Sequence, residues 1–176
     1  NNIKDSTEDS VIRRMLSLID ATTRTNYYQS NKDNKFKEYL SFKFNSKEVL
    51  GLPLPVPYAE IFVYSPRVEA IHLRGGKVAR GGLRWSDRQE DFRTEVLGLM
   101  KAQMTKNAVI VPVGSKGGFV LKNDLSKMNW DEIQKEGIEC YKIFLRGLLD
   151  ITDNVVNNKI VHPNNVIIHD SADPYL

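Results

Sequence analysis

A helical period that leads straight into a continuously apolar run constrains this chain more than any other feature. Phe92, Val96, Leu99, Met100 and Met104 recur on one helical face, which predicts a helix over 88–106. Ser86 and Gln89 have the spacing of a capping box at its start, and Lys106 sits at its end, where a cation complements the helix dipole. The run 108–113 (AVIVPV) has no polar position, as expected of a strand buried on both faces beneath helices. A long helix next to such a strand belongs to an α/β fold rather than to a bundle or a sandwich.

The rest of the chain extends that reading. Residues 1–6 are polar and expected to fray, and Val11, Ile12, Met15, Leu16 and Ile19 predict an amphipathic packing helix over 7–21. The polar stretch TTRTNYYQSNKDNK reads as a linker or exposed loop. Leu40, Phe42 and Phe44 alternate with Ser41 and Lys43, the period of a half-buried strand, and prolines at 53, 55 and 57 mark an extended connector. Segments 60–65 and 68–73 read as a hairpin, with His72 on the face of Val68 and Ala70 as a core residue rather than a catalyst. A second long helix starts at Asn129, which forms a capping pair with Glu132, and reaches about Thr152; Ile133, Tyr141, Phe144, Leu145 and Leu148 supply its apolar face. Its single cysteine, Cys140, reads as a buried structural thiol; one cysteine makes no internal disulfide and fits a reducing cytoplasm. DNVVNNK interrupts the pattern with polar residues before a last short strand at 166–169.

Together these segments predict an α/β fold with a mixed open sheet flanked by helices. A helical arm and linker over 1–35 would precede one domain over 36–176. The chain starts without methionine and stops at Tyr175-Leu176 just after a strand and a turn, so it is expected to be a piece of a longer protein. A net charge of +3 is too small to imply nucleic acid, and no apolar run approaches the length of a membrane helix. There is no GxGxxG and hence no sign of a Rossmann domain, no metal-ligand spacing among the three histidines and one cysteine, and no GxSxG. VGSKGG lacks the spacing of a nucleotide phosphate loop.

Two glycine pairs remain, each beside cations. Gly81-Gly82 lies between Arg80 and Arg84, and Gly117-Gly118 follows Lys116. Read as turns with positive φ, they would form the walls of an anion-binding cleft. Lys116 is then either a solvated lysine in a glycine turn or a lysine held with Arg80, Arg84 and Lys106 in a dry cleft, where burial and like charge favour proton transfer. Spacing alone does not choose between the two.

RGGLRWSDR followed by EVLGLMKAQMTKNAVIVPVGSKGGF resembles the catalytic core of the glutamate dehydrogenases, specifically the large NAD-specific class, and the terminal DPYL is similar to that class. The likeness is strong over 74–121 and slight over 1–60. It implies the substrate-binding domain of an amino-acid dehydrogenase, with Lys116 as the catalytic lysine that assists attack of water on an iminium. It implies Lys106 on the substrate α-carboxylate, Arg80 on a substrate carboxylate, and Gly81, Gly82, Gly117 and Gly118 as cleft-forming glycines. Arg80 stands where smaller members carry lysine, which keeps the charge but presents a planar fork. VGSKGG is one residue shorter than the segment of those members.

The implied reaction converts L-glutamate, NAD and water to 2-oxoglutarate, ammonium and NADH in a cytoplasmic homo-oligomer with no nucleic-acid or membrane partner. The family's catalytic aspartate would follow DPYL beyond Leu176, with the NAD-binding Rossmann domain further on, so neither Asp170 nor Asp173 takes that role and residues 1–176 alone would be inert. The rival readings are a non-catalytic anion-binding module and a segment that mainly makes subunit contacts.

Overall fold

The structure, a computed structural model, describes residues 5–107 and 113–176. Its strands are β1 (Thr22–Thr25), β2 (Leu40–Phe44), β3 (Ala59–Tyr64), β4 (Val68–Arg74), β5 (Ala79–Trp85), β6 (Val113–Leu121), β7 (Asn154–Val156), β8 (Lys159–Val161) and β9 (Ile167–Ile168). The helices are α1 (Ser6–Asp20), α2 (Phe92–Asn107) and α3 (Trp130–Asp150). Seven strands form one sheet in the order β5-β6-β4-β3-β2-β1-β9, and β7 and β8 form a separate hairpin. Only the β5–β6 pair is parallel among the described ladders, so the sheet is mixed, as the sequence predicts.

Side-chain alternation divides the core into two layers. Val68, Ala70, Phe119 and Leu121 face α3, where they pack with Cys140, Ile143, Phe144 and Leu148. The intervening Ile71, Leu73 and Val120 face α2 and meet Phe92, Val96, Leu97 and Met100. The 60–65 and 68–73 hairpin forms as expected, and α3 begins with the complete capping box of Asn129 and Glu132. Burial, followed by the nearby Glu136 carboxylate, pushes the Cys140 thiol up to about 12, in keeping with an inert structural cysteine. Trp85 stacks on Phe119 with centroids 6.2 Å apart, a packing role.

Several segments differ from the sequence reading. The polar stretch taken for a linker contains β1, and DNVVNNK is not a mere interruption but the turn and arms of the β7–β8 hairpin, with Asn157 and Asn158 at positive φ. α2 begins at Phe92 rather than Arg88, because the expected capping pair is engaged elsewhere: Ser86 Oγ donates to Glu95 and Gln89 Nε2 to the Leu121 carbonyl. The apolar strand expected over 108–113 lies outside the described residues except for Val113, as do residues 1–4. On α1, Val11, Met15, Leu16 and Ile19 are exposed; the helix meets the chain mainly through Ser17, whose Oγ accepts from the Leu50 amide.

The alternation in β2 is broken, with Ser41 and Lys43 buried as well as Phe44 and with Phe42 half-buried, because an ion network occupies this end of the sheet. Arg24 donates to Asp153 and Asp170, Lys43 pairs with Asp170 and Asp173, and Arg74 grips Asp173. Three buried cations thus meet three carboxylates, which compensates the cost of taking each charge out of water. Burial alone would raise the Asp153 carboxyl, but hydrogen bonds from Arg24, the Asp173 amide and His162 outweigh it and hold it at about 2. A carboxyl depressed in the folded state contributes stability above its unfolded pKa and loses it as pH falls through the folded value. Unfolding free energy is therefore expected to drop by about 2 kcal/mol on this account between about pH 4 and pH 2. Urea titrations across that range check it: Asp153→Asn should flatten the decline, and an unaltered slope would contradict the role of Asp153.

Candidate active site

Both glycine pairs lie within strands rather than in turns. β5 and β6 pair in parallel with Gly81 opposite Ser115, Gly82 opposite Lys116, Leu83 opposite Gly117 and Arg84 opposite Gly118. None of the four glycines has positive φ; among the described glycines that conformation belongs to Gly51. Close approach is the reason for most of them. A Cβ on Gly81 would lie 1.5 Å from the Ser115 carbonyl oxygen, one on Gly117 would meet Leu83 at 2.4 Å, and one on Gly118 would meet Val96 of α2 at 2.5 Å. Gly82 is different, since the nearest atom to a Cβ there is Lys116 Nζ at 4.0 Å.

This pattern puts Lys116 and its neighbouring arginines on the α2 face. Arg80, Gly82 and Arg84 share that face of β5, as do Gly114, Lys116 and Gly118 of β6. The half-buried Lys116 side chain reaches its ammonium over the bare backbone of Gly82, with Arg80 and Arg84 two residue pairs to either side. The sequence left open a solvated lysine in a glycine turn and a lysine in a dry cleft. Among the described residues the arrangement is an open ledge at the sheet edge, with Arg80 exposed and Arg84 56% exposed, because β5 is the last strand of the sheet. α2 runs antiparallel to β6, with Val96 over Gly118 and Gln103 over Gly114. The backbone of Lys106, in the last turn of α2, therefore lies toward the end of β6 where Arg80 pairs with Gly114; its side chain is outside the described residues.

The Arg84 side chain meets a carboxylate of α2. Its Nε lies 3.0 Å from Glu95 Oε1 in an ion pair, and Ser86 Oγ donates to Glu95 Oε2 at 2.5 Å while accepting from the Arg88 amide. The sequence did not announce this triad: Glu95 opens the second motif segment, but its partners lie on a different element. His72 is buried on the opposite, α3 face; burial, followed by the neighbouring Arg74, pulls its imidazole down to about 4, so it is neutral at physiological pH and stands apart from the cations. Asp170 and Asp173 belong to the ion network. A cavity of about 290 Å³ opens beside that network, lined by Lys43, Lys47, Tyr58, Lys77, Asp170 and Asp173, and it does not include Lys116.

A dinucleotide needs a glycine-rich turn leading into a helix N-terminus to seat its phosphates. Here the KGG segment continues as strand and α2 follows a polar turn, so the described residues do not fit that cofactor.

Residues 1–176 match the family described as bacterial NAD-glutamate dehydrogenase, catalytic domain. The chain is 64% identical over 169 residues to an NAD-specific glutamate dehydrogenase of Pseudomonas aeruginosa and 60% identical over 169 residues to one of Halomonas elongata, covering in each case 96% of this chain and 10% of the relative. Against the Mycobacterium tuberculosis protein of the same name the identity is 51% over 176 residues, with 96% of this chain and 11% of the relative covered. The chain thus spans about a tenth of the length of the curated relatives it matches.

The two glycines of β5 should respond oppositely to a methyl group. Gly81→Ala, which drives a Cβ into the Ser115 backbone, is expected to destabilise by about 3 kcal/mol or more. Gly82→Ala should stay within about 1 kcal/mol of the parent. Denaturant unfolding of both variants checks the register, and equal losses would contradict it.

Proposed function

We propose, from the premise that the chain belongs to the bacterial NAD-glutamate dehydrogenase catalytic-domain family, that it supplies the substrate-binding wall of an enzyme that oxidatively deaminates L-glutamate. The products are 2-oxoglutarate and ammonium, with NAD as the oxidant, held by residues outside this chain. The observation that carries the reading is the Lys116 ammonium lying over bare Gly82 between two arginines of the same strand face. A dicarboxylate needs cations spaced on one surface, and the backbone at Gly82 lets the reacting carbon approach that surface closely.

In this arrangement Lys116 is the proton-transfer group for water addition to the iminium carbon. Arg80 and Lys106 hold carboxylates. Gly81, Gly117 and Gly118 permit the close packing of β5, β6 and α2 that sets the lysine's position. The mixed sheet with a helix on each face is the substrate-binding domain of an amino-acid dehydrogenase in this reading. The enzyme is a cytoplasmic homo-oligomer, a state supported by the exposed apolar residues Val11, Met15, Leu16 and Ile19 of α1.

Replacing Lys116 with alanine in the intact protein is expected to lower glutamate-dependent NADH formation by about a hundredfold or more. NAD affinity, measured by fluorescence titration, should be unaffected. Turnover that survives the substitution would remove Lys116 from the mechanism.

A further inference from the structure

The structure assigns Arg84 to the same substrate surface as a carboxylate-binding residue, with Glu95 as the residue that positions it. The assignment deepens the proposed function and rests on it only for the identity of the substrate. Arg84 shares its strand face with Arg80 and Gly82, and it stands across from Gly118, which offers no side chain beneath it. A free arginine side chain on an edge strand would sweep a wide volume. This one is tethered, because Glu95 engages Nε and is itself fixed by Ser86 and only 12% exposed.

A guanidinium has two edges that accept a carboxylate side by side, one formed by Nε with a terminal nitrogen and one by the two terminal nitrogens. Glu95 lies against Nε, and among the described residues the terminal nitrogens of Arg84 donate no hydrogen bond. The open fork is therefore held in place on the ledge beside the Lys116 ammonium. Lysine in its place would keep the charge but could not bind Glu95 and a ligand carboxylate in the same planar geometry. The neighbouring Arg88 is a useful contrast, because its guanidinium is spent on Asp91 in the turn before α2.

The test is binding of glutarate, an unreactive five-carbon dicarboxylate, to the intact protein by calorimetry, alongside glutamate kinetics. Arg84→Gln and Arg84→Lys are each expected to weaken glutarate by about tenfold and to raise KM for glutamate similarly with little change in kcat, the mark of lost uniform binding. Glu95→Ala should move the same quantities in the same direction by less, and Arg88→Gln should move neither. Unaltered glutarate affinity in Arg84→Gln, or no glutarate binding by the parent protein, overturns the assignment. Glutarate binding that depends on Arg84 in a protein unable to oxidise glutamate would uphold the assignment and reject the reaction proposed above.

Discussion

The parallel pairing of β5 with β6 governs the rest of the molecule. Parallel neighbours cannot be joined by a tight hairpin, so the chain between them must cross over the sheet, and α2 is the described helix of that crossing. That crossing commits one face of the sheet to α2 and leaves the other for α3. It also brings β5, β6 and α2 so close together that Gly81, Gly117 and Gly118 have no room for a side chain. Between Gly114 and Gly118, Lys116 carries the side chain on the α2 face, and the gap at Gly82 is where it extends. Close packing and the placement of the Lys116 side chain thus have one cause in this region.

The second constraint is the buried ion network at the far end of the sheet. Arg24, Lys43 and Arg74 come from three different strands and converge on Asp153, Asp170 and Asp173, all contributed by the last part of the chain. Arg74 also donates to the carbonyls of Lys77 and Tyr175, so it ties the start of β5 to the same seam. Each charge is costly to bury alone, and removing one partner would strand the others. The seam therefore acts as a unit, and it is what allows β1, with no apolar residue, to take a place in the sheet.

Elements whose stability comes from local pattern were legible in the sequence. The period of α1 and α3, the capping box at Asn129 and the hairpin around Pro66 all form where their residues place them. The unread elements depend on partners distant in sequence. β1 and Lys43 read as polar surface because their carboxylates lie more than a hundred residues away. The glycine pairs stood out in the sequence as the centre of the candidate site but were not legible as strands, since glycine serves close approach as readily as a turn. The cations around Lys116 were legible as residue types, while the tether of Arg84 by Glu95 was not, because it depends on where α2 sits over the sheet.

The position of the substrate on the α2 face is tested most directly by a crystal structure of the intact protein with 2-oxoglutarate bound. The expected result is a ligand lying over Gly82, with its carboxylates within hydrogen-bonding distance of the arginines of β5 and its keto carbon facing Lys116 Nζ. A ligand seated instead in the cavity between Lys43, Lys47 and Lys77 would contradict that placement.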